Sequence, residues 1–267
     1  MKRICLVLAV LSIVCGTASA DEPEVLSLKA RDGFVLAATY QAPPTKPGGC
    51  VVLVHMLSGR RQDWGDFPAE LAKAGWGVLA LDMRGHGESK AGGKVDIEKL
   101  NERTAAPLCA KMPLDVEAAV EFVRQREDVK PDRIVVIGAS IAANSALQVA
   151  ARSPAVAAVA LLSPGLDYLG VTTADAMRKC TRRKVLMVAA ALDEPSAECV
   201  TTLAKIAKGS PSVQSRVFDT KLSMGANMQP EVPHGTDLLR LEPELRPLLM
   251  KWLAETFPPA EPGAKQD

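Results

Sequence analysis

Beyond residue 21 the chain alternates short, nearly unbroken apolar runs with turns and amphipathic stretches. The apolar runs are Val51 to His55, Gly77 to Asp82, Arg133 to Ile137, Val156 to Leu162 and Lys184 to Ala190. Strands that read this way are buried on both faces, as in a parallel sheet covered by helices. The intervening stretches carry the helical period. Asp66 to Ala74 has Pro68 in its first turn, and Leu114 to Arg126 sets Val116, Ala119, Val120 and Val123 on one face. Regular β and α alternation predicts an α/β fold with a mostly parallel, doubly wound sheet and helices on both faces.

The ends of the chain follow other rules. Val25 to Ala30 and Phe34 to Tyr40 flank Arg31-Asp32-Gly33, and Asp-Gly favours a tight turn, so an antiparallel N-terminal hairpin is expected at the sheet edge. Residues 42–49 (APPTKPGG) read as a surface loop, and residues 258–267 as a flexible C-terminal tail. The segment 1–20 pairs Lys2 and Arg3 with an apolar run from Ile4 to Val14 and ends in Ala18-Ser19-Ala20. That is the layout of a cleavable signal peptide, too short to span a bilayer comfortably, with Cys15 in a poor context for lipid attachment. The expectation is export to the periplasm or the medium, cleavage after Ala20, no stable membrane insertion afterwards, and one domain over residues 21–257.

Composition then narrows the function. With 32 Lys and Arg against 31 Asp and Glu, no basic cluster exists to neutralise phosphates, which argues against nucleic acid as a partner. The apolar content of 48% excludes disorder, and 4% aromatic residues offer no platform for stacking sugars. Four of the six cysteines, Cys50, Cys109, Cys180 and Cys199, lie in the exported part, where an oxidising setting leads one to expect one or two disulfides. Their spacing fits no zinc site.

The segment Gly138-Ala139-Ser140-Ile141-Ala142 carries the most chemistry. A buried strand runs into a serine flanked by small residues and then into an Ala-rich helix, which is how a sharp strand-to-helix turn lifts a nucleophile out of a sheet. The helix N-terminus aims amide hydrogens at developing negative charge. Among the three histidines, His55 ends a buried strand and His86 sits in a Gly-rich loop, both structural positions. His234 follows the last strand-like segment and is the general-base candidate. Asp193, just after the run Lys184 to Ala190, is the candidate carboxylate, with Asp167 and Glu194 as rivals.

Taken together, the strand ending in Val54-His55, the loop Asp82-Met83-Arg84-Gly85-His86-Gly87-Glu88-Ser89, the turn at Ser140, Asp193 and His234-Gly235-Thr236 resemble the α/β-hydrolase superfamily. The nearest subgroup is the small dienelactone-hydrolase-like or carboxylesterase-like serine hydrolases. The resemblance implies that Ser140 attacks, His234 shuttles the proton and Asp193 orients the histidine. It also implies an oxyanion hole from the backbone N–H groups of Ile141 and Leu57, with Met56 as a rival where relatives carry Gly. Neither metal nor organic cofactor is implied. Only about twenty residues, Ser163 to Arg183, occupy the place where many relatives insert a helical cap, so an open site is expected. Leu57, Trp64, Ile141, Leu166 and Tyr168 are candidates to line it. The expected reaction is ester hydrolysis of a small molecule through an acyl-Ser140 intermediate. A peptidase or thioesterase using the same residues, and a non-catalytic binding protein retaining the fold, are the alternatives.

Overall fold

The structure is a computed structural model that describes residues 22–258 apart from 222 and 226–228. The expected signal segment and the expected tail, from 259 onward, lie outside the described residues. The chain enters through the hairpin β1 (Glu24–Lys29) and β2 (Val35–Gln41), turned at Asp32-Gly33. There follow β3 (Gly48–Val54), α1 (Phe67–Lys73), β4 (Gly77–Leu81), α2 (Glu102–Cys109) and α3 (Met112–Arg124). Next come β5 (Val129–Ala139), α4 (Ile141–Arg152) and β6 (Ala158–Leu162). A small hairpin, β7 (Asp167–Tyr168) and β8 (Val171–Thr172), and α5 (Ala174–Cys180) precede β9 (Lys184–Ala190), α6 (Glu194–Ile206) and β10 (Val213–Phe218). The short pair β11 (Ser223–Met224) and β12 (Pro230–Glu231) leads to α7 (Leu238–Leu241) and α8 (Leu245–Thr256).

Eight strands form one sheet in the order β1-β2-β4-β3-β5-β6-β9-β10. The run from β4 to β10 is parallel, and β1 and β2 add antiparallel at the β4 edge. The apolar runs are explained by this geometry, because side chains alternate across a sheet that is covered on both sides. In β3, Cys50, Val52 and Val54 face one core while Val51 and Leu53 face the other. The first core receives Val116 and Val120 of α3, Leu147 of α4, Met177 of α5 and Leu203 of α6. The second receives Phe67 and Leu71 of α1 and Leu249 and Trp252 of α8. Each such side chain, taken from water, contributes about 1.5–3 kcal/mol to folding. At the far end Phe257 closes on Trp76, with ring centroids 5.5 Å apart, and Arg133 donates to its carbonyl at 3.2 Å.

The expected disulfides do not form. Cys50, Cys109, Cys180 and Cys199 are free and fully buried in the first core, on β3, α2, α5 and α6 respectively. Each acts as a small apolar side chain in its own packing site, which is the ordinary use of a buried cysteine. Burial pushes the Cys109, Cys180 and Cys199 thiols up to about 11 and Cys50 higher still. They stay protonated near neutral pH and are poor partners for thiol exchange.

Candidate active site

The parallel sheet sets the site at the carboxyl ends of its strands, where β5, β6 and β9 release their loops. β5 stops at Ala139 and α4 starts at Ile141, so the whole reversal falls on Ser140, at φ 56° and ψ −123°. A non-glycine residue there stores about 1–3 kcal/mol of strain and persists only if its surroundings enforce it. The enforcement is visible: Ser140 N donates to Leu162 O at 2.8 Å, continuing the β5–β6 ladder, and Ala143 N donates to Ser140 O at 2.8 Å. Gly138 has no alternative, since a Cβ there would lie 2.4 Å from Ala142 O. Position 142 tolerates alanine because its methyl is absorbed into the first core.

The structure brings the three sequence candidates together. Ser140 Oγ lies 2.7 Å from His234 Nε2, and His234 Nδ1 lies 2.7 Å from Asp193 Oδ2. With the Nδ1 proton given to the carboxylate, Nε2 is left to accept the serine proton. Ser140 is only 6% exposed and Asp193 is buried, while His234 is half-buried. Burial alone would raise the Asp193 carboxyl, but hydrogen bonds from His234, Ser196 and Ser163 outweigh it and hold it below the usual range. The rivals stand apart: Asp167 is exposed and accepts from Gly170 N at 2.7 Å, and Glu194 is exposed at the start of α6.

The loop after β3 is fastened from beneath by two histidines. His55 Nδ1 donates to Met56 O at 2.7 Å and Nε2 accepts from Met83 N at 3.1 Å. His86 Nε2 accepts from Ser58 N at 3.0 Å while its Nδ1 donates to Arg84 O at 2.9 Å. Both rings must be neutral to make these bonds. Burial pushes His55 down to about 4, and it lowers His86 as well. Asp82 anchors the same region by accepting from Arg61 N at 2.7 Å and Glu88 N at 3.0 Å and by pairing with the Arg61 guanidinium. Met56 has a specific partner. A Cβ on Gly235 would lie 2.8 Å from the Met56 sulfur, so the bare glycine after His234 makes room for that side chain. Met56 and Leu57 are both half-buried, the first toward the second core and the second toward the first. The N–H of Ile141, in the first turn of α4, is among those a helix leaves without an internal partner.

Of the residues expected to line the site, Tyr168 stands beside the reacting groups. Its ring packs edge-on against His234, with centroids 6.3 Å apart at 88°, and its hydroxyl lies 3.2 Å from Ser196 Oγ. Leu166 is 40% exposed, and Ile141 is almost fully buried. Trp64 does not line the site: it is packed in the second core, stacked on Phe67 at 6.3 Å. Two residues escaped sequence reasoning. Ser163, at φ 51° just past β6, accepts from Gly235 N at 3.0 Å and so ties the histidine loop to the sheet. Ser196, in the first turn of α6, joins Asp193 to Tyr168. Ser163 is visible in sequence only as the residue that ends an apolar run. No helical cap is present between Ser163 and Arg183; that stretch folds into β7, β8 and α5, and α5 packs into the first core.

The profile of the family described as serine aminopeptidase, S33, matches residues 45–206, more than half of the chain. The chain belongs to this family of α/β hydrolases. The matched span of this S33 hydrolase contains Ser140 and Asp193 and stops short of His234. Its fold is similar to that of the Pyrococcus furiosus esterase Pf2001, at 17% identity over 88% of this chain and 92% of that one, TM-score 0.66. It is also similar to a dienelactone hydrolase from Anabaena variabilis, at 16% identity over 88% and 97%, TM-score 0.62. By sequence, YtaP of Bacillus subtilis, a protein designated a hydrolase, is 36% identical over 75 residues, which are 28% of this chain. The match spans about a quarter of that relative's length, 25%. Among the described residues, no helix of this S33 hydrolase is long and apolar enough to cross a membrane.

Proposed function

We propose that this S33-family hydrolase cleaves an ester bond of a small molecule through an acyl-Ser140 intermediate. The observation that carries the reading is the continuous chain Ser140 Oγ to His234 Nε2 and His234 Nδ1 to Asp193 Oδ2, both at 2.7 Å, with Ser140 on the strained turn between β5 and α4. Ser140 Oγ attacks the carbonyl carbon while His234 Nε2 takes its proton; the ionised Asp193 stabilises the imidazolium. The oxyanion is met by the N–H groups of Ile141 and Leu57. Collapse expels the alcohol, which takes the proton from His234, and water repeats the sequence on the acyl enzyme. With no helical cap between Ser163 and Arg183, the site is open to an incoming substrate.

A second reading, hydrolysis of an aminoacyl or short peptide bond, is favoured by the name of the family whose profile matches, because the same three residues serve amide cleavage. Export, with removal of residues 1–20 and residence in the periplasm or medium, belongs to the same proposal and rests on the Lys2-Arg3, apolar, Ala18-Ser19-Ala20 layout. A fluorophosphonate probe tests the chemistry: labelling of the wild type and none of Ser140→Ala is expected, and labelling that survives the substitution refutes the mechanism. A panel of ester, thioester and aminoacyl substrates separates the two bond classes. N-terminal sequencing of protein from the cell envelope or medium should begin at Asp21.

A further inference from the structure

Tyr168 is half-buried, packed on one side against the first core and on another against His234. Its ring lies flat on Gly165, where a Cβ would come within 2.5 Å of the ring carbons, and its edge-on contact with His234 fixes the other side. The hairpin that carries it is pinned to the helix of the nucleophile. The buried Asn144 donates to Val171 O at 2.6 Å and accepts from Gly165 N at 3.0 Å, and Thr173 Oγ1 donates to Gly165 O at 2.8 Å. The Tyr168 hydroxyl lies 3.2 Å from Ser196 Oγ, with Ser140 nearby. Tyr168 therefore borders the Ser140–His234–Asp193 line from the side of the β6 loop.

The sheet order says which part of a substrate Tyr168 meets. β5, which delivers Ser140, lies between β3 and β6. The loop after β3 supplies the oxyanion donor in the proposed mechanism, and the loop after β6 supplies Tyr168, so the two approach Ser140 from opposite flanks. The leaving group must sit within reach of His234 Nε2, from which it takes its proton. Tyr168 borders that same His234–Ser140 pair. Resting on the acyl-transfer reading above, we propose that Tyr168 is a further catalytic residue, whose hydroxyl donates a hydrogen bond to the leaving-group heteroatom as its bond to the acyl carbon breaks.

The proton inventory is consistent with this role. With the Ser196 hydroxyl donating a hydrogen bond to the Asp193 carboxylate, Ser196 Oγ is left to accept and the Tyr168 O–H to donate. At 3.2 Å that bond is longer than the usual 2.7–2.8 Å for O–H···O and is readily exchanged. Rotation about the phenolic C–O bond redirects the proton to an oxygen arriving beside Ser140. During collapse the acyl C–O bond breaks, its electron pair stays on the departing oxygen, the His234 proton is transferred to that oxygen, and Tyr168 keeps its own proton throughout. The assistance matters most for alkoxides, which leave poorly, and least for a leaving group that needs no proton.

The test is Tyr168→Phe on paired esters of one acyl chain, ethyl against p-nitrophenyl. Loss of one hydrogen bond to a developing charge is worth about tenfold. We expect kcat/KM to fall about tenfold on the ethyl ester and less than about twofold on the p-nitrophenyl ester, with the fluorophosphonate labelling rate unchanged. An equal fall on both esters, a matching loss of labelling, or no change on either ester overturns the role. If wild-type Ser140 is not labelled at all, the acyl-transfer reading itself has failed and this one falls with it; labelling with no leaving-group dependence removes Tyr168 alone.

Discussion

Acidification should loosen the loop after β3 before the sheet itself gives way, and His55 is the cause. Folding holds this imidazole neutral because burial excludes water from it and the His86 ring lies beside it, which leaves Nε2 to accept the Met83 N–H; the pKa falls from 6.5 to about 4. In the unfolded chain the ring protonates near 6.5. The unfolded state therefore binds more protons between these values, and the His55 contribution is complete above pH 6.5 and is lost as pH falls toward 4. At 1.36 kcal/mol per pH unit the full effect is about 3 kcal/mol, of which about 2 kcal/mol is gone by pH 5. His86, lowered by burial, acts in the same direction, and the Asp82 carboxylate nearby opposes both shifts. The assay is urea unfolding of wild type and His55→Gln at pH 7, 6, 5 and 4.5. Glutamine can accept from Met83 N but cannot titrate. The variant should be less stable at pH 7 by about 1 kcal/mol, for the lost donor to Met56 O, yet flatter with pH. Carboxylates elsewhere titrate in both proteins and cancel in the comparison. If wild type and variant lose stability in parallel from pH 7 to 4.5, the reasoning is wrong.

Three further outcomes are expected. Asp193→Asn keeps the shape but not the charge that stabilises the imidazolium, so kcat should drop by about 10⁴ with little change in KM, measured on any ester the wild type cleaves. Gly138→Ala forces its methyl onto Ala142 O, 2.4 Å away, and should give a protein that melts earlier and labels poorly with fluorophosphonate, whereas Gly65→Ala, where nothing lies within 4 Å, should cost only what its positive φ imposes. In the protein lacking residues 1–20, Ellman's reagent should titrate four thiols after denaturation and almost none before, and dithiothreitol should not move Tm.

Much of the sheet was legible because burial on both faces writes itself as unbroken apolar runs: Lys184 to Ala190 is the strand β9, residue for residue. Helix α3 begins two residues earlier than its apolar period, at Met112, since Pro113 suits a first turn. The small hairpin β7–β8 left no trace, because two-residue strands carry no periodicity, and α2 was hidden by Pro107 inside it. At the site, residues whose role lies in their own chemistry, Ser140, Asp193 and His234, stood out in sequence and meet in space. Ser163 and Ser196 did not, since their importance comes only from where the β6 and β9 loops bring them. The disulfide expectation failed for a related reason: an oxidising setting says nothing about distance, and these four cysteines each fill space in the first core.

The contact between Met56 and Gly235 makes two distant sequence positions one unit of design. A glycine at 56 would open a void beside the histidine loop, and enlarging 235 would drive a side chain into the methionine sulfur 2.8 Å from its Cβ. Reshaping the loop after β3 therefore calls for altering both positions in the same variant.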